Sequence, residues 1–229
     1  MIRRPSGPLW YASLMLGKRL AFVCASVFVL AGATGFAQSR TIVRLHGQPI
    51  CTDVPCTPVE SQLIAIANRL TQPMHAARFA NNAAYVQWLN GPYRQRVARD
   101  RHDRREFDTL LARMHGPRDE MLRDVLLTLV TDAQFRNAGA ADAANPANAM
   151  MASGGIGADQ VARSAHQIVA LANACVTSTS AAGAAWSRWS ARCRTMATEY
   201  TGVENESCAA LNIVTGGPQS GTYCGDRPH

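Results

Sequence analysis

An all-α fold is predicted for this chain: a bundle of about five to six helices, with an irregular segment before it and a cysteine-bearing tail behind. Three observations predict it. Apolar residues recur at helical spacing in one stretch after another, most regularly in MLRDVLLTLV. There Met121, Leu122, Val125, Leu126, Leu129 and Val130 make one continuous stripe. A helix-start signature stands at Thr57, and six cysteines follow an N-terminal targeting pattern, an even number suited to disulfides.

The first 37 residues read as a signal peptide rather than part of the fold. Arg3, Arg4, Lys18 and Arg19 precede the apolar run LAFVCASVFVLAGATGFA, and Gly35-Phe36-Ala37 supplies a small-x-small cleavage site. Cleavage is expected after Ala37, with Met15 as a second candidate start. A retained single-pass anchor is the competing reading, since the run is about the minimum length for a bilayer span. The whole chain carries 23 Lys and Arg against 16 Asp and Glu. Four of the bases and none of the acids lie before residue 38, so the remainder is only +3. The high pI therefore argues weakly for a nucleic-acid partner. Lysine is absent after residue 37, and Arg and Ala abound, a composition typical of a GC-rich bacterial genome.

Residues 38–57 are expected to be extended and irregular, with Thr41 to Leu45 a short strand or a tether. Thr57, Pro58 and Glu60 then spell a capping box with proline at the first helical position. The helix they start carries Leu63, Ile64, Ala67 and Leu70 on one face and stops before Pro73. A second helix is read from Pro73 to Leu89, with Phe79, Ala83, Val86 and Leu89 on one face, and Asn90-Gly91-Pro92 ends it. Two central helices follow between Pro92 and Asn137, joined at Met114-His115-Gly116-Pro117. The first is apolar only at its ends, and its middle, ARDRHDRRE, has no large apolar side chain.

From Ala138 to Gly157 the periodicity disappears into a flexible Ala-, Asn- and Gly-rich loop. An amphipathic stripe returns with Val161, Ala165, Ile168, Val169 and Ala172, up to Cys175. Ser178 or Ser180 is placed to cap the next helix, which carries Trp186, Trp189, Cys193 and Met196 toward Tyr200 and ends at Gly202. The bundle thus spans residues 58–201 and the tail 202–229.

Cys51, Cys56, Cys175, Cys193, Cys208 and Cys224 allow fifteen pairings. Cys51–Cys56 closes a proline-stiffened loop. A helix ending near Tyr200 lets Cys208 fold back onto Cys193, which leaves Cys175–Cys224 to tie the tail to the bundle. A tight hairpin at Thr177 to Ser180 would hold Cys175 and Cys193 about 20 Å apart along the helix axis, beyond the reach of a disulfide. No C-x-x-C pair is present, and no metal or cofactor is expected.

For chemistry, the polar middle of the first central helix stands out. Arg99 with Asp103, and Asp100 with Arg104, can pair at i,i+4. Arg94 and Arg96, with Arg101 and Arg105, have no obvious carboxylate. A solvated face and a docking face are both open, and Arg94, Arg99, Arg101 and Arg105 are the candidate partner-binding residues. His102-Asp103 is a dipeptide that also stands on the active-site helix of secreted phospholipases A2, but the calcium loop and flanking cysteines of that family are missing here. Glu60-Ser61 resembles the start of a lytic transglycosylase site, but the Gly-Leu-Met-Gln segment that should follow is missing. Trp186 and Trp189, with Tyr200, are read as core, or else as an aromatic anchor.

The reading is an exported, disulfide-stabilised binding or structural protein of the bacterial envelope, not an enzyme. It would dock a protein partner, as an accessory component of a secretion or conjugation apparatus, with no nucleic acid and with membrane contact only through the signal peptide. Two alternatives stand beside it: a cell-envelope hydrolase using His102, Asp103 and Glu106, and a soluble ligand-binding bundle using the gap beneath loop 138–157.

Overall fold

The computed structural model describes residues 42–74, 79–144 and 156–227. The expected signal peptide lies outside the described residues, as do residues 145–155 of the expected loop 138–157; residues 138–143 and 156–157 are helical instead of loop.

The irregular front segment forms a two-stranded antiparallel hairpin, β1 (Arg44–Leu45) and β2 (Gln48–Pro49), with Leu45 opposite Gln48. Its turn is His46-Gly47, both at positive φ (50° and 73°), as tight hairpin turns require. Leu45 and Ile50 are buried in the core. The hairpin is fastened from two sides. Asn68 of α1 (Pro58–Leu70) accepts from His46 N at 3.0 Å and donates to Arg44 O at 2.7 Å. Arg188 and Arg192 of α6 (Ala184–Thr215) reach Gln48 and His46.

Helix α1 starts as the capping box predicts: Glu60 N donates to Thr57 Oγ1 at 3.2 Å, and the Glu60 carboxylate accepts from Thr57 N. Glu60 is buried, and Arg118 brings its Nε to 3.4 Å from the carboxylate. The second helix is shorter than expected. It is α2 (Asn82–Trp88), capped by Asn81, whose Oδ1 accepts from Ala84 N at 2.9 Å. Its buried residue is Tyr85, whereas Val86 is 44% exposed, so its apolar face is rotated from the expected one. Asn90-Gly91-Pro92 does not end the helix. The chain widens into one π-helical turn, Leu89–Tyr93, and runs on into α3 (Arg94–Leu111). Pro92 has no N–H and its ring clashes with a normal helical turn, and the π-turn accommodates both.

Helix α4 (Pro117–Ala143) follows Gly116, whose φ of 112° only glycine adopts easily. Leu122, Val125, Leu126, Leu129 and Val130 are buried, the stripe read from the sequence. Phe107 and Leu110 of α3, and Met114 just after it, sit in the core, and α3 lies chiefly on α1, so α3 and α4 diverge rather than pack closely along their length.

Helices α5 (Ile156–Ser180) and α6 form the longest packed pair, with α5 also on α4. Ala165, Ile168 and Ala172 face the core, as do Trp186, Trp189, Met196 and Tyr200. Val161, placed on the apolar stripe by sequence, is 36% exposed, and Ala162 beside it is buried. Ser180 does not cap α6: it lies within α5, and Gly183 (φ 77°) precedes α6.

Two expected disulfides are not formed. The structure has Cys51–Cys56, Cys175–Cys193 and Cys208–Cys224, in place of Cys193–Cys208 and Cys175–Cys224. Two geometric causes act. Helix α6 does not stop at Gly202 but continues to Thr215, where Gly216 (φ 77°) caps it. Cys193 and Cys208 are therefore about 22 Å apart on one helix at 1.5 Å per residue. Secondly, the α5–α6 hairpin is not tight at Thr177 to Ser180. Ser180 Oγ lies 3.1 Å from Ser190 Oγ, so the first residues of α6 run past the end of α5. That offset brings the Cys175 and Cys193 Cα atoms to 6.1 Å. The tail beyond Gly216 folds back through α7 (Tyr223–Asp226), and Cys208–Cys224 ties it to α6.

Candidate functional site

Where α3 and α4 part, they enclose a cleft of about 490 Å³. Tyr93 of the π-helical turn, Val97 of α3, Met74 and Ala138 give it an apolar floor. Arg101, Arg104 and Arg105 stand along one side together with Asp100, whose carboxylate is paired with Arg96, and Gln134 and Asn137 of α4 stand on the other. Asn137 shapes the wall: its Oδ1 accepts from Met74 N at 2.8 Å, and its Nδ2 donates to Gln72 O at 3.1 Å. Tyr93 joins the cleft to an aromatic cluster, its ring centroid 5.0 Å from that of Trp88, which in turn meets Phe79 and Tyr85.

The expected Arg99–Asp103 and Asp100–Arg104 pairs are not made. Asp103 is buried and takes a two-pronged pair from Arg69 of α1, with both N–O distances 2.9 Å. Asp100 is held by Arg96, and Arg104 by Asp108 and by Gln134 at 3.1 Å. Arg96 also reaches Gln72 O at 2.8 Å, a tertiary bond that decides which i,i+4 partner Asp100 takes. The hydrogen bond from Arg69 holds the Asp103 carboxyl below its ordinary range, against the opposing effect of its burial.

Of the four candidate arginines, Arg101 and Arg105 line the cleft, while Arg94 and Arg99 are exposed outside it. Arg101 and Arg105 make no side-chain hydrogen bond or ion pair among the described residues. The cleft therefore combines apolar floor with guanidinium groups free to take an anion, a geometry suited to a carboxylate on an apolar carrier. Sequence reasoning missed Arg104, Tyr93, Gln134 and Asn137. The signal available was the polar face of α4 at Gln134 and Asn137, one helical turn apart.

His102, Asp103 and Glu106 are not gathered into a site. Asp103 turns to Arg69, Glu106 accepts from Gln62 at 2.7 Å, and His102 is exposed. Among the described residues, three potential ligand atoms converge only at Cys51, Cys56 and Glu60, and both sulfurs there are spent in a disulfide. Trp186, Trp189 and Tyr200 are core residues.

Two further polar clusters hold elements together. Arg192 Nη2 lies 3.1 Å from His46 Nδ1, and His46 Nε2 lies 2.7 Å from Thr71 Oγ1. A guanidinium only donates, so Nδ1 accepts and the ring proton sits on Nε2. At the tail, Glu204 is buried and meets Tyr223 Oη, Arg227 at 3.3 Å and His166 at 3.4 Å. Burial, and then Glu204, push the Tyr223 hydroxyl up to about 12.

The three disulfides fit an oxidising compartment, and no described helix is long and apolar enough to cross a membrane. No family model matches the chain, and no curated protein or solved structure matches it either.

Proposed function

We propose that this is an exported docking protein of the bacterial envelope that holds an acidic, partly apolar segment of a protein partner in the α3–α4 cleft. In this reading residues 1–37 are removed as a signal peptide, and the bundle acts as an accessory component of an envelope machine such as a secretion or conjugation apparatus. The observation that carries the proposal is the pairing of Arg101 and Arg105, neither of them in a salt bridge among the described residues, with the apolar floor of Tyr93, Val97 and Met74. Charge complementarity selects an acidic partner and sets its approach rate, while the floor gives its apolar side chains a place to bury.

The hydrolase alternative has less support, because Asp103 and Glu106 are engaged with α1. The test is binding of short peptides that alternate Asp or Glu with Leu or Phe, followed by calorimetry, with pull-down from envelope fractions as the second arm. Arg101→Glu with Arg105→Glu should leave the circular dichroism unchanged and abolish both peptide binding and partner recovery. His102→Ala should change neither. Loss of function in His102→Ala with full function in the charge reversals would overturn the docking reading in favour of catalysis or metal binding.

A further inference from the structure

The three disulfides are not equivalent. Cys175–Cys193 is sealed in the core, its cysteines 0% and 1% exposed, and Cys208–Cys224 is almost as deep. Cys51–Cys56 is half-buried, in a loop whose Val54 is 50% exposed. It stands at the start of α1, with Cys56 immediately before the cap residue Thr57. A helix N-terminus favours a thiolate, so Cys56 is the better leaving group of the pair. One carboxylate oxygen of the buried Glu60 lies within 4.8 Å of both sulfurs.

Bonds other than the bridge also hold the loop. Arg118 Nη2 donates to Val54 O at 2.8 Å, Ile50 N donates to Val43 O at 3.0 Å, and Thr57 N is held by Glu60. Cys51 sits at φ 58°, a region disfavoured for a residue with a Cβ, and opening the bridge frees it to relax.

We propose that Cys51–Cys56 is a thiol–disulfide exchange site that oxidises a pair of thiols on a substrate polypeptide, with Glu60 relaying the proton. The first substrate thiol gives its proton to Glu60, and its sulfur attacks Cys51 Sγ. The Cys51–Cys56 bond breaks, and Cys56 leaves as a thiolate that takes the proton from Glu60. The second substrate thiol then attacks the substrate sulfur of the mixed disulfide. Cys51 leaves and takes that thiol's proton. One substrate disulfide is formed, Cys51 and Cys56 end as two thiols, and Glu60 ends unchanged. The exposed Val54 gives the substrate chain an apolar foothold beside the bridge.

The test uses the full oxidised chain with dithiothreitol as the dithiol. Limited reduction followed by alkylation and peptide mapping should find Cys51 and Cys56 labelled before the four cysteines of the other two bridges, with the helical signal intact. Cys56→Ser, offered oxidised glutathione in place of dithiothreitol, should hold one glutathione as a mixed disulfide on Cys51 and release the other as a thiol. Glu60→Gln keeps an acceptor oxygen for the cap and removes the base. It should slow exchange at pH 7 by about a hundredfold, the lower end for general acid–base catalysis. Its rate should then rise tenfold per pH unit with the thiolate fraction of the reductant, where the parent profile is flatter. Labelling of Cys51 and Cys56 no sooner than the buried pairs, or loss of helix on their reduction, would overturn the site. A parent-like rate and profile for Glu60→Gln would overturn the relay.

Discussion

Asp103 shows how a single side chain can be misjudged from its neighbours in sequence. It sits in a run of seven charged residues and His102, and i,i+4 spacing offers it Arg99. The structure gives it to Arg69, thirty-four residues away, because α3 lies on α1 and turns Asp103 inward. A two-pronged guanidinium pair on a buried carboxylate is stronger than an exposed i,i+4 pair, which is worth about 0.2–0.5 kcal/mol. Arg69→Ala would leave the Asp103 carboxylate buried and unmatched. It should cost about 1–3 kcal/mol in a urea titration. Arg101→Ala, on the exposed rim of the cleft, should stay within about 0.5 kcal/mol. Equal losses would mean that Asp103 draws little from Arg69.

Helix α6 is the element where local and tertiary signals conflict. Gly202 resembles a stop, and local spacing places the sequence beyond it, VENESCAALNIVT, in the tail. The structure carries the helix on to Thr215, since Glu204, Cys208 and Leu211 pack against α5 and the returning tail. Packing of one face outweighs the cost of an interior glycine, about 0.5–1 kcal/mol. A Cβ at Gly202 meets no atom within 4 Å, so Gly202→Ala should raise stability by about that amount, read as a higher urea midpoint. A lower midpoint would mean that the helix is bent at this glycine.

The helical class, the cap at Thr57, the α4 stripe and the two rim arginines were legible because each is written in spacings within one turn or two. The disulfide pairing was not, because it depends on the length of α6 and on the offset of the α5–α6 hairpin, neither of which local spacing encodes. The cleft was half legible: its arginines stand in one charged run, but its other wall comes from α4. Because Cys224 ties the tail to Cys208 of α6, Cys224→Ser should expose the segment after Gly216 to protease. The α1–α5 core should still unfold as one unit, because the Cys208–Cys224 bridge lies in a separate small cluster.

At the scale of the whole molecule, the front hairpin is a buckle between the first and last long helices, and His46 is its pin. Asn68 and Thr71 hold it from α1, and Arg192 holds it from α6. The pin works only with a neutral ring, because Nδ1 must accept from a guanidinium. Burial, and then Arg192, hold the His46 pKa below its ordinary 6.5, and Asp132 opposes them only in part. The folded chain therefore binds this proton less readily than the unfolded chain, so the unfolded state carries more protons just below 6.5. Stability is complete above that pH and falls as the pH drops below it. A second loss begins lower. Asp103 is held below the carboxylate range by Arg69. For Asp159, burial pushes upward, but the Cys224 and Tyr223 backbone N–H groups and Arg163 outweigh it. Both contributions are present above the ordinary carboxylate pKa and are lost as pH falls through the lowered values. Unfolding midpoints should accordingly decline in two stages, one between pH 7 and 5 and one below about pH 4. His46→Asn keeps a residue tolerant of the positive φ and removes the titrating ring. It should flatten the first stage and leave the second in place. A first stage of undiminished slope in His46→Asn would show that the buckle does not sense pH through this ring.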